Sequence, residues 1–112
     1  MKVLLAYRPG ELRIAEMEKP TPGPGQILAK VHHCGICATD VAIADGTLTL
    51  GEGMNPIYPV RIGHEWSGVV VETGSGTRRL KVGDRVFSDT GYSCGECGAC
   101  LGGEYQSCEN GR

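Results

Sequence analysis

The chain has 112 residues, 11 basic and 13 acidic side chains and a formal net charge of −2, which allows one domain with a modest core. Its charges are dispersed, with no basic stripe or paired aromatics for nucleic acid, and the opening MKVLLAY breaks at Arg8, Pro9 and Gly10, too short for a signal segment or a membrane span. The 18 glycines and 6 prolines argue for small strands joined by many turns, and a reducing, cytoplasmic setting is expected.

In chain order, residues 2–7, 12–18 and 26–33 read as strands, with the turn-rich PTPGPG at 20–25 barring any helix between them. His32 and His33, as neighbours on a strand, are expected to point to opposite faces. Residues 39–44 form the one plausible short helix, with Thr39 as its candidate N-cap. A glycine-loaded loop over 45–58 follows, and then two apolar, β-branched strands at 66–72 and 84–88. The expected architecture is mainly β and barrel-like, with a metal-bound lobe attached after Ser88.

That lobe carries the run CGECGACLGGEYQSC, in which Cys94, Cys97, Cys100 and Cys108 are separated by two, two and seven residues. One tight turn can aim each closely spaced pair of thiolates at a common point, and tetrahedral zinc accepts four sulfurs with no position left open. Such a closed shell holds structure rather than doing chemistry. Gly91, Gly95, Gly98, Gly102 and Gly103 are expected to supply the unusual backbone angles of the wrap. Two disulfides are the first alternative, but cysteines so close bridge poorly. An iron–sulfur cluster is the second, but a bacterial ferredoxin has its fourth cysteine after three residues and before a proline, whereas Cys108 precedes Glu109.

A second constellation lies upstream. Cys37, in CGICATD, and His64, in RIGHEWSG, are zinc-type ligands on separate elements, and two of them leave room for a further ligand and for water or substrate. Asp40 could accept a hydrogen bond from the second ring nitrogen of His64, Thr39 could relay a proton, and Glu65 could tune the charge of a metal. Alone, a Cys–His pair is more often two unrelated core residues.

The ordered set CGICATD, GHEWSG, KVGDRVF and the four-cysteine lobe resembles the medium-chain, zinc-dependent alcohol and polyol dehydrogenase family over essentially the whole chain. The resemblance implies an N-terminal GroES-like catalytic domain at 1–112, with a structural-zinc lobe at 91–110. It implies Cys37 and His64 as ligands of a catalytic zinc, with Glu65 as the acidic neighbour, Thr39 as the hydroxyl that binds the substrate alcohol, and Asp40 as the carboxylate behind the ligands. Cys94, Cys97, Cys100 and Cys108 correspond to the structural-zinc ligands. Zinc in such enzymes polarises the substrate oxygen, and hydride passes to NAD or NADP held by a Rossmann domain.

The chain departs from that pattern in several ways. It contains no GxGxxG stretch and hence no dinucleotide site, and the Rossmann domain, the third catalytic ligand and the last barrel strands are absent from these residues. Ala42 stands where several relatives carry a relay histidine, and Thr77 replaces a usually aliphatic residue, expected to be a harmless surface change. Cys34 is read as a small buried thiol rather than a ligand, Trp66 as a packing residue that could line a substrate pocket, and Asp84 and Arg85 as turn-stabilising. Two functions follow as expectations. One is the catalytic-domain portion of an oxidoreductase for an alcohol, polyol or sugar, in a possible homo-oligomer. The other is a non-catalytic zinc-binding module formed by the 112 residues alone.

Overall fold

The computed structural model describes residues 1–50, 55–89 and 93–110. Strand β1 (Lys2–Arg8) turns back at Pro9-Gly10 into β2 (Glu11–Glu16), and β3 (Ile27–Cys34) leads to helix α1 (Ala38–Asp45). Then come the two-residue β4 (Val60–Arg61), β5 (Trp66–Thr73), β6 (Arg85–Phe87), a single helical turn α2 (Gly98–Leu101) and a 3-10 turn at Tyr105–Ser107. The strands form two antiparallel sheets among the described residues, ordered β2-β1-β4 and β3-β5-β6. The mainly β, barrel-like expectation therefore holds. β4 was not anticipated from sequence: two residues are too short to show any alternation.

Register explains how the elements are placed. Leu5 pairs with both Arg13 and Arg61, making β1 the centre of its sheet, while β5 is central in the other and carries the β-branched run Val69 to Val71. Gly68, in the middle of β5, is buried for a steric reason: a Cβ there would lie 2.2 Å from the Lys30 carbonyl oxygen. Glycine alone lets β3 approach so closely. Just beyond, the register slips between Val31 and His33, so strict alternation fails. His32 and His33 both border one groove of about 600 Å³ with Ser67, Arg85 and Phe87.

Several contacts anchor α1 and the joints around it. The Gly10 N–H donates to the Ala44 carbonyl (2.7 Å), and the Tyr58 hydroxyl donates to the Ile43 carbonyl (2.5 Å), fixing the end of the helix to the β1–β2 turn and to the segment before β4. Lys19 pairs with Glu72, tying the stretch after β2 to β5. Thr77 is less bland than expected: its hydroxyl lies 2.9 Å from the Gly74 carbonyl and 3.1 Å from that of Gln26, closing the turn after β5 onto the start of β3. Asp84 does stabilise its turn, accepting from the Lys81 backbone N–H and side chain, both at 2.9 Å.

The closed core is small. Among the described residues the buried apolar side chains are Ala6, Val70 and Cys100. Between the two sheets and α1 runs a cleft of about 820 Å³ lined by Val3, Leu28, Ile62 and Trp66, and bordered by Asp40 and His64. No helix of the described residues is long and apolar enough to cross a membrane.

Candidate metal centres

The first centre forms where β3 ends and α1 begins. Cys37 is the N-cap of α1, not Thr39: its sulfur accepts the Thr39 N–H (3.3 Å) while its own N–H donates to Asp40 Oδ2 (3.0 Å). This is a capping box with a thiol in place of the usual hydroxyl. Thr39, one turn position inside, is exposed. The box pins both Cys37 and Asp40, so one local motif sets two of the site's side chains.

His64 reaches them from the segment before β5. Its Nε2 lies 3.3 Å from Cys37 Sγ, and its Nδ1 lies 3.4 Å from Asp40 Oδ1. The same Asp40 oxygen accepts the Gly63 N–H at 2.8 Å. Gly63 has φ of +91°, and a Cβ there would come within 2.6 Å of Cys34 Sγ. Asp40 is only 1% exposed; burial alone would raise its pKa, but the N–H groups of Gly63 and Cys37, with His64, outweigh that and hold the carboxyl below its ordinary value. A carboxylate facing Nδ1 leaves Nε2 as the ligating nitrogen beside the thiol.

Cys37, Asp40 and His64 each offer an atom within 4.8 Å of the others. Zinc with sulfur at about 2.3 Å and nitrogen at about 2.05 Å in a tetrahedron gives an S···N edge of about 3.6 Å, close to the 3.3 Å seen here. The donor pair thus fits such an ion, with Asp40 behind it. Glu65 does not join this group; its carbonyl accepts the Gly35 N–H at 2.6 Å, and its carboxylate lies against Gly35. Cys34 stays outside as expected, but it is exposed rather than buried. Trp66 is half-buried and lines the cleft.

The second centre is the lobe. Sγ atoms of Cys94, Cys97, Cys100 and Cys108 all lie within 4.8 Å of one another, and every cysteine of the chain is a free thiol. Cys94 to Cys100 and Cys97 to Cys108 are each 4.0 Å apart, against a tetrahedral edge of about 3.8 Å for four Zn–S bonds of about 2.3 Å. Backbone amides already point at the sulfurs: those of Glu96 and Cys97 donate to Cys94, and that of Cys94 to Cys108. The Glu96 and Cys97 amides, with Asn110, bring the Cys94 thiol down to about 6, whereas burial pushes the Cys100 thiol up to about 12. The amides thus favour the thiolate at Cys94, while burial favours the neutral thiol at Cys100. Gly95 and Gly103 have positive φ as anticipated, but Gly98 and Gly102 sit in right-handed helical backbone around α2. Gly91 lies outside the described residues.

Sequence reasoning missed Ser88. Its hydroxyl donates to the His64 carbonyl and accepts the Trp66 N–H at 3.2 Å. No motif marks a serine at the end of a strand, so only the fold reveals it.

Known proteins resemble this chain in sequence and in fold. A sorbitol dehydrogenase of Halalkalibacterium halodurans is 40% identical, covering 98% of this chain and 31% of its own. The structure of a short chain alcohol dehydrogenase from Escherichia coli CFT073, complexed with NADH, matches with a TM-score of 0.83 and 38% identity over 100% of this chain and 31% of that one. A cobalt- and zinc-bound thermostable alcohol dehydrogenase from Pyrobaculum aerophilum matches with a TM-score of 0.79 and 34% identity over 98% of this chain and 32% of that one. The chain thus spans about a third of the length of the relatives it matches. The family model described as "Alcohol dehydrogenase GroES-like domain" covers residues 23–112, and the chain belongs to that family.

Proposed function

We propose that these residues form the metal-binding, substrate-side portion of a zinc-dependent oxidoreductase that moves a hydride between an alcohol, polyol or sugar and NAD or NADP. The observation that carries the reading is the meeting of Cys37 Sγ and His64 Nε2 at 3.3 Å, with the buried Asp40 beside the other ring nitrogen. Zinc, when bound there, would act as a Lewis acid on the substrate oxygen. In this reading the domain extends over 1–112, with the lobe at 91–110, and the nicotinamide is held by a domain outside these residues.

The chain's own groups then have distinct tasks. Cys37 and His64 hold the ion; Asp40 fixes the His64 tautomer and is itself fixed by two N–H bonds. Thr39, exposed at the first turn of α1, binds the substrate hydroxyl and passes on its proton. Glu65 acts as the acidic neighbour of the ligands. Cys94, Cys97, Cys100 and Cys108 hold a second, structural zinc that takes no part in the reaction. The relative named for sorbitol supports a polyol-type substrate. A reducing, cytoplasmic location and a homo-oligomer are part of the proposal for the whole enzyme, the location because a four-sulfur zinc site needs its cysteines unbridged.

Taken alone, the 112 residues are proposed to be a zinc-binding module without turnover, because two donors and an already engaged carboxylate do not complete a catalytic shell. Metal analysis and a nicotinamide absorbance assay on the purified chain test both levels. One tightly held zinc and no turnover are expected; turnover by the chain alone would overturn the module reading. For the whole enzyme, a parent that oxidises simple primary alcohols but no polyol would sink the substrate assignment.

A further inference from the structure

We propose that Ser88 is a positioning residue for His64, acting through the main chain and not on any reacting atom. The inference rests on the reading of Cys37 and His64 as metal ligands.

Ser67 pairs with Phe87, so Trp66 and Ser88 face each other one step further on, where the strands part. Half of the expected exchange survives: the Ser88 N–H donates to the Trp66 carbonyl at 2.9 Å. The other half does not use a backbone carbonyl. The Trp66 N–H goes instead to Ser88 Oγ at 3.2 Å, and that hydroxyl gives its own proton to the His64 carbonyl. A hydroxyl is a small group that can accept from an N–H and donate to a C=O at once. Alanine or valine at this position could satisfy neither.

The segment around His64 is consequently held from three sides. The Gly63 N–H is bound by Asp40, the His64 carbonyl by Ser88, and the Glu65 carbonyl by the Gly35 N–H at 2.6 Å. With its flanking peptides fixed, His64 has little freedom to swing its Nε2 away from Cys37. Residues that orient a ligand from behind are worth roughly 10–100-fold in metal affinity. Asp40 acts on the ring of His64 directly, whereas Ser88 acts on the peptide that carries it.

The test uses the 112-residue chain labelled with ¹⁵N-histidine, its four-cysteine lobe first filled with one equivalent of zinc. The three ring signals are followed as further zinc is added. In the parent the His64 ring nitrogen should shift on titration, and Ser88→Thr, which keeps the hydroxyl, should follow the parent. Ser88→Val, the same shape without the hydroxyl, and Ser88→Ala should need about tenfold more zinc, with His32 and His33 signals unchanged as evidence of an intact sheet. Equal titration of the parent, Val and Thr variants overturns the role of Ser88 while leaving the metal site standing, as does a tenfold loss in a folded Thr variant. Absence of any His64 response in the parent overturns the metal reading, and the inference with it.

Discussion

The two candidate centres are built in opposite ways. The lobe draws four sulfurs from fifteen consecutive residues, Cys94 to Cys108, on elements no longer than one helical turn. The corner draws Cys37 from a helix N-cap and His64 from a segment 27 residues later, and it relies on β3, α1 and β5 to bring them together. A closed set of donors needs only a pliable chain, because the ion itself supplies the order. An open set must be ordered beforehand, since part of its coordination is left for substrate. In the proposed corner site Asp40, Gly63, Gly35 and Ser88 provide that ordering, and among the described residues the lobe shows no counterpart beyond its N–H···S contacts.

The strongest way to break the comparison is to remove the ion from the lobe. Cys100 is the one lobe cysteine that is buried, so Cys100→Ser, or a strong chelator, should release the tightly bound zinc and melt residues 93–110. Structural zinc contributes on the order of 10 kcal/mol in small zinc-binding peptides, far more than the packing available to this lobe. Metal analysis together with amide hydrogen exchange would read the loss. Exchange protection in β1, β3 and β5 should survive; its collapse along with the lobe would show that the two regions fold as one.

The converse experiment attacks the corner. Asp40→Asn removes a carboxylate that accepts two backbone N–H groups while almost wholly buried, at an expected cost of about 3 kcal/mol in denaturant unfolding. The four-cysteine lobe should retain its zinc unchanged. Gly68→Ala should act less directly and cost about 2 kcal/mol, because its Cβ would meet the Lys30 carbonyl and push β3 off β5. Both variants should loosen His64 against Cys37, which weaker protection of the Gly63 and Gly35 amides would report. A stable Gly68→Ala protein with the parent's exchange pattern would mean that β3 can give way without cost.

The same contrast decides what sequence could reveal. The lobe was legible because its ligands are contiguous, so spacing alone encodes the geometry. Cys37, Asp40 and His64 became legible only through their order along the chain, because pairing logic cannot bring together residues on separate elements. The N-cap was misassigned to Thr39 since cysteine is not among the usual capping residues, yet the Cys37 sulfur takes that role. The register slip between Val31 and His33 was hidden, because slips depend on the partner strand, not on the strand itself. Ser88 went unread, and Thr77 read as a harmless surface change, for a related reason: a hydroxyl's importance lies in which distant carbonyl it meets.

The smallest expected effect separates a carboxylate that shapes a turn from one that shapes a site. Lys81, through its side chain first and its backbone N–H second, holds the Asp84 carboxyl below its ordinary value of about 3.9. A depressed folded-state pKa means that the folded protein binds this proton less readily than the unfolded chain does. The stabilisation is therefore fully present above the unfolded value and is lost as pH falls through the lower folded value. Asp84→Asn should accordingly be slightly less stable than the parent at neutral pH, and the gap should close on acidification below about pH 4. Because Asp84 lies on the sheet side of the chain, zinc release from the lobe should follow the same acid profile in both proteins. Urea unfolding at a series of pH values, read beside metal retention, checks the two curves together. A stability gap that stayed constant into acid would show that the Lys81 contact acts by shape alone and not by charge.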